Sequence, residues 1–255
     1  MTRRPPRFLA SVRSLDEALL AAELGTDIID LKEPSQGALG AVAAAEQRRV
    51  VAALRALGPR RPPISATIGD LPFDPAAIAG AIRRTAANGV DVVKFGIYAD
   101  GSDARRGLRE LDRLLDAEPQ PATLVALLLV DRLADAAEAL TLARAALRVT
   151  GVGGVMLDTA GKGAAAPALP EVLAIGELAR FVAAVQGEGG FAGLAGSLRV
   201  QHIAPLAATG ADILGFRGAL CQGARDASLA RAAVVDVRDR LRAASLPSRL
   251  QALLA

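Results

Sequence analysis

Lysine is nearly missing from this 255-residue chain. Of its 30 Lys+Arg residues only Lys32, Lys94 and Lys162 are lysine, and every other basic position is arginine. Tryptophan is absent, aromatic residues make up 3%, and there is one histidine, His202, and one cysteine, Cys221. A single cysteine excludes a disulfide framework within the chain and any multi-cysteine metal cluster. The lack of disulfides suits a reducing cytoplasm, which is the expected location. A lone histidine with no ligand cluster around it in the sequence reads as structural, so no metal or other cofactor is expected. Long apolar runs are also missing. The longest, ATLVALLLV from Ala122 to Val130, is too short to cross a bilayer as a helix and has the length of a buried strand. The first residues, MTRRPPRFLASVRS, are basic but lack the apolar run of about 7–15 residues found in a secretory signal. No membrane partner is expected.

Positive charge is in slight excess, at +3. The arginines are interleaved with acids at helical spacing, as in ARRGLRELDRLLDAE from Ala104 to Glu118. That pattern predicts solvated helix faces, and it lacks the dense basic stripe with stacking aromatics that a nucleic-acid surface would show. The 52% hydrophobic content is ample for a sizeable core.

What is present is alternation. Short apolar runs predict strands at Arg7–Val12, Asp27–Lys32, Ile64–Ile68, Asp91–Ile97, Thr123–Val130, Gly154–Thr159, Phe191–Ser197 and Asp212–Arg217. Amphipathic stretches predict helices at Ser14–Leu24, Ala43–Leu57, Pro75–Asn88, Asp103–Ala117, Arg132–Val149, Pro170–Val185, Gln201–Ala208 and Ser228–Ala244. Eight strand–helix pairs argue for a parallel α/β architecture, a (β/α)8 TIM barrel forming a single domain over residues 1–255. The runner-up is an open doubly wound sheet, against which no G-x-G-x-x-G follows the first strand. A short pattern recurs as GTDII from Gly25, GVDVV from Gly89 and GADIL from Gly210, with GVGGVML from Gly151 as a looser copy. In each, glycine can close a helix in the left-handed conformation before a buried strand begins.

In such barrels chemistry gathers at the carboxyl ends of the strands. Lys32 ends strand two, Lys94 lies in strand four and Lys162 follows strand six, whereas the arginines populate the helices. An amine can lose its proton and attack a carbonyl; a guanidinium in practice cannot. Asp30 shares a strand face with Lys32, and Asp158 precedes Lys162 on the same segment. Clustered ammonium groups repel and burial disfavours charge, so one lysine should have a lowered pKa, the condition for an amine nucleophile. Two further segments suit an anion. GLAGSLR contributes Gly196 and Ser197 after strand seven, and GFRGAL contributes Gly215, Arg217 and Gly218 after strand eight. Glycine-rich loops and helix starts at these places bind phosphate. The alternative is that the glycines only serve tight turns. The loop EPSQGALGA, from Glu33 to Ala41, closes over the site, reaches a second substrate or is a flexible connection.

Four motifs carry a resemblance: Asp27-Ile28-Ile29-Asp30-Leu31-Lys32-Glu33-Pro34, Val93-Lys94-Phe95-Gly96-Ile97-Tyr98, Asp158-Thr159-Ala160-Gly161-Lys162-Gly163 and Gly193-Leu194-Ala195-Gly196-Ser197-Leu198. In this order the chain resembles the (5-formylfuran-3-yl)methyl phosphate synthases over nearly its whole length. The third motif continues as GAAAPALP, less polar than the resemblance leads one to expect. The resemblance implies an aldolase-like barrel that condenses two molecules of glyceraldehyde 3-phosphate through a lysine Schiff base, with loss of phosphate and water. The product would be the furan precursor of a methanofuran-type one-carbon carrier. It implies that Lys32 is the Schiff-base lysine and Lys94 the proton acceptor, with Asp30, Asp158 and Lys162 supporting them. The partners expected are a phosphorylated triose and further copies of the chain. Two alternatives stay open on the residues alone: another Schiff-base aldolase acting on a sugar phosphate, and a non-catalytic barrel subunit.

Overall fold

The computed structural model describes residues 5–99, 101–161 and 166–244, and Lys162 lies outside them. Eight parallel strands close into a barrel in chain order, with the last returning to the first. They are β1 (Arg7–Val12), β2 (Ile28–Leu31), β3 (Ile64–Thr67), β4 (Val92–Ile97), β5 (Thr123–Leu129), β6 (Val152–Asp158), β7 (Phe191–Leu194) and β8 (Ile213–Phe216). Around them lie α1 (Leu15–Glu23), α2 (Ala44–Ala56), α3 (Pro75–Ala86), α4 (Gly101–Ala117), α5 (Ala136–Ala146), α6 (Leu169–Val172), α7 (Ile175–Gly187), α8 (Ile203–Ala208) and α9 (Arg231–Ala243). The expected (β/α)8 barrel is therefore the fold.

Burial explains the sequence pattern. A strand covered on both faces reads as a continuous apolar run rather than an alternating one. β5, TLVALLL, is buried at every residue after Thr123. One apolar cluster lies between the strands and the helices, and a second fills the barrel interior with Leu9, Ile28, Val125, Leu127, Met156 and Ile213.

Two helices differ most from the expected spans. The helix expected from Arg132 begins at Ala136, because the Asp135 side chain caps it by accepting from the Glu138 backbone N–H at 2.8 Å. The helix expected over Pro170–Val185 divides into α6 and α7, because Leu173 and Ala174 are extended. Each part starts with a glutamate that reaches back to a backbone N–H, Glu171 to Ala168 and Glu177 to Ala174.

The recurring G-x-D pattern has a physical basis at the amino-terminal rim of the barrel. Gly25, Gly89, Gly151 and Gly210 all adopt positive φ, between 77° and 89°. The aspartates that follow three of them accept a backbone N–H from the neighbouring strand: Asp27 from Phe8, Asp91 from Ile64 and Asp212 from Ala192. These contacts fasten adjacent strands at the end away from the expected chemistry, so the repeat serves stability.

Candidate active site

The carboxyl ends of the strands surround a cavity of about 810 Å³. Asp30, on β2, is fully buried in its wall. Its neighbours in register are Ser11 on β1 and Ser65 on β3. Their hydroxyls donate to its two oxygens, at 2.9 Å to Oδ2 and 2.7 Å to Oδ1. Lys94 reaches across from β4 and places Nζ 2.5 Å from Asp30 Oδ1. Burial alone would raise the Asp30 carboxyl, but the charges of Lys94 and Lys32 and the Ser65 hydroxyl hold it below the ordinary carboxylate range. Burial lowers the Lys94 amine, with help from the Lys32 charge; Asp30 pulls the other way and only partly offsets this.

Lys32 stands one residue beyond the end of β2 and is buried. Its Nζ lies 3.6 Å from Oδ2 of Asp158, at the end of β6. Strand parity puts Asp30 on one face with Lys32, yet the pairing is crossed: Asp30 bonds Lys94, and Lys32 faces Asp158. Asp158 is fixed in turn by the backbone N–H of Thr159, at 2.8 Å from Oδ1. Asp131, after β5, accepts from the backbone N–H groups of Ala160 and Gly161 at 2.6 and 2.8 Å, and so steadies the segment that leads toward Lys162.

The loop after Lys32 is a built part of the site and no loose connection. Asp70, after β3, accepts from the N–H groups of Ala38 and Leu39, both at 2.8 Å, and from the hydroxyl of Tyr98, after β4. Burial and the Asp70 carboxylate push the Tyr98 phenol well above its ordinary range, so it stays a donor. Thr67 Oγ1 holds the Gly40 carbonyl at 2.9 Å. Leu39 is fully buried and joins the interior cluster. The loop therefore packs over the ends of β3 and β4, beside a cavity lined from β1, β2 and β4 to β8.

This clamp gives a prediction. Asp70→Ala leaves two backbone donors without their partner, at about 1–3 kcal/mol for a buried one. Gly37→Ala should act similarly, since its φ is 105° and an added Cβ would lie 1.8 Å from Asp70 Oδ2. Both variants are expected to be cut faster within Glu33–Ala41 in limited proteolysis. Cleavage at the parent rate would show that Asp70 does not hold the loop.

The loops expected to take phosphate line the same cavity through Gly196, Ser197, Gly215, Arg217 and Gly218. Gly196 has φ 105°, and an added Cβ would press to 3.0 Å on the Thr159 backbone nitrogen, so the turn itself requires glycine. Ser197 follows with φ 50°, the one positive φ outside glycine among the described residues. The expectation that Arg217 offers a charged contact to phosphate is not met by its geometry. Its guanidinium donates to Glu17 Oε2 at 2.6 Å and Oε1 at 3.2 Å, and to the carbonyls of Arg225, Ser11 and Ala227. These occupy all five of its N–H groups. His202 Nδ1 accepts from the Arg199 backbone N–H at 3.2 Å, a contact within its own segment.

Among the described residues no group of three or more His, Cys, Asp or Glu side chains could hold a metal ion, and no helix is long and apolar enough to cross a membrane. The residues that sequence reasoning missed are Ser11, Ser65, Asp70, Tyr98, Asp131 and Glu17. A polar residue inside an apolar strand, as in FLASV and ISAT, is the signal that could have found the two serines.

Comparison with known proteins bears on the family and the fold. The pattern of the 4-HFC-P synthase family matches residues 8–238. The chain is 33% identical to a (5-formylfuran-3-yl)methyl phosphate synthase of Methanothermobacter thermautotrophicus, over 85% of this chain and 89% of that protein. It is 34% identical to the protein of the same name from Methanocaldococcus jannaschii, over 85% and 90% of the two chains. A protein provisionally given that name in Methylorubrum extorquens is 38% identical over 93% of this chain and 92% of its own. Among solved structures, an aldolase designated QR15 superposes with a TM-score of 0.60 at 12% identity, covering 94% of this chain and 96% of that one. Phosphoribosyl anthranilate isomerase from Thermus thermophilus gives a TM-score of 0.60 at 14% identity, covering 92% and 98%. These two likenesses are of fold. On the match along its length and the identity to its relatives, the chain belongs to the 4-HFC-P synthase family, the (5-formylfuran-3-yl)methyl phosphate synthases.

Proposed function

We propose that this protein condenses two molecules of glyceraldehyde 3-phosphate to (5-formylfuran-3-yl)methyl phosphate through a Schiff base on Lys32. One phosphate and two waters leave, which balances the atoms. The observation that carries the reading is a pair of buried amines in one cavity, each beside its own carboxylate. The cavity, near the upper end of the usual range for small-molecule sites, has room for more than one triose phosphate.

In this reading the Lys32 amine adds to a substrate aldehyde and gives up a proton as the C–N bond forms. The carbinolamine loses water, with Asp158 placed to hold the proton in transit. The iminium then draws electrons from the adjacent carbon, whose proton needs a base. Lys94 suits that task, because its lowered pKa makes the free amine available nearer neutrality. The enamine carbon attacks the aldehyde of the second triose, and dehydration, ring closure and loss of phosphate follow. Lys162, which lies outside the described residues, keeps its supporting role on its motif alone.

The test is glyceraldehyde 3-phosphate supplied alone. A furan chromophore and released phosphate are expected; an aldolase that needs a different partner would give neither. A pH profile examines Lys94. If it is the base, kcat/KM rises with pH through its pKa. The Asp30 anion favours charged Lys94, so in Asp30→Asn the amine loses its proton at lower pH, and the acid limb should move downward. A limb that stays in place or moves up would remove Lys94 from the role.

A further inference from the structure

Arg225 lies in the loop after β8 and lines the same cavity as Lys32 and Asp158. Its side chain spans from the β8 side to the loop after β2, where Nη2 makes a long contact of 3.4 Å with the Gly37 carbonyl. That is its side chain's one hydrogen bond among the described residues, and no carboxylate among them stands within ion-pair distance. Asp158, Asp226 and Asp70 act on it only from farther away, and the Arg217 charge opposes them. Its own carbonyl, by contrast, is held by Arg217 Nε at 2.8 Å and by Cys221 Sγ at 3.6 Å. The backbone is anchored while the guanidinium faces the cavity, half-buried, with most of its donors unused.

A guanidinium taken partly out of water favours an acceptor that meets its planar fork, and phosphate does so with two parallel hydrogen bonds. Arg217, the basic residue expected to do this, instead fixes the loop that carries Arg225. We infer that Arg225 is the residue that anchors the phosphate monoester of the substrate, by charge-assisted hydrogen bonds from its guanidinium. The inference rests on the proposed reading that the cavity takes phosphorylated trioses.

The experiment compares parent, Arg225→Ala and Arg225→Lys, with circular dichroism confirming the fold. Calorimetry reads the Kd for inorganic phosphate, and kinetics read KM for glyceraldehyde 3-phosphate. Borohydride trapping of unphosphorylated glyceraldehyde on Lys32 reads the amine without the anion. In Arg225→Ala both constants should rise about ten- to a hundredfold, with trapping of unphosphorylated glyceraldehyde unchanged. Arg225→Lys should recover part of the loss, because it restores charge without the fork. A parent that makes furan while Arg225→Ala binds phosphate and substrate as the parent does overturns the anion site and leaves the reaction standing. A parent whose phosphate binding is weakened in Arg225→Ala, yet which makes no furan, overturns the reaction and leaves the anion site standing.

Discussion

Replacing Lys32 by arginine is expected to abolish turnover while the barrel stays folded. The variant keeps a positive charge near Asp158, so the electrostatics of the buried wall change little. It loses the one property that matters for covalent chemistry, because a guanidinium does not become a free nucleophile at any pH near neutrality. Loss of the nucleophile from a covalent mechanism costs on the order of ten-thousandfold or more in kcat. Borohydride reduction in the presence of substrate should add mass to the parent on the peptide containing Lys32, and add none to the variant. Lys94 has the lowered pKa and sits in the same cavity, so the competing outcome is specific. An adduct on Lys94 in the parent would exchange the roles of the two amines, and full activity of Lys32→Arg would end the Schiff-base reading altogether.

Much of this was legible in the sequence. A strand buried on both faces must be apolar along its length, so β1 and β5 announce themselves at the bounds or within a residue of them. The three lysines stand out because arginine holds every other basic position, and two of them, Lys32 and Lys94, meet in the cavity. Which carboxylate serves which amine was not legible. Strand parity tells that Asp30 and Lys32 share a face; it does not tell how far a lysine reaches across the barrel. Lys94 crosses over β3 to Asp30, and Lys32, set just past its strand, turns toward β6. The loop from Glu33 to Ala41 was equally opaque. Its glycines and polar residues suggest mobility, yet what holds it is Asp70 and Tyr98 from two other loops, and nothing local in EPSQGALGA encodes them.

Arg217 is the instructive misreading, and it makes the second large prediction. A lone arginine between glycines after strand eight reads as a phosphate ligand, because that is where such folds bind phosphate. The sequence does not show that Glu17, on α1, buries a carboxylate against it. Both partners are buried, and breaking such a pair by removing one of them leaves an uncompensated charge, at about 3–5 kcal/mol. For a chain of this size that corresponds to a fall in Tm of roughly 6–20 °C. Arg217→Ala is therefore expected to lower Tm, and Glu17→Ala to lower it by a similar amount, although Glu17 does not line the cavity. Replacing both by methionine should recover part of the loss, since an apolar pair of similar volume often matches a buried ion pair. The recovery is partial because the carbonyls of Ser11, Arg225 and Ala227 lose their donor. Thermal unfolding of the four proteins, with KM for glyceraldehyde 3-phosphate measured alongside, separates the two roles. If Arg217→Ala kept the parent Tm and raised KM alone, with Glu17→Ala silent in both, Arg217 would be a substrate contact and its pairing with Glu17 incidental.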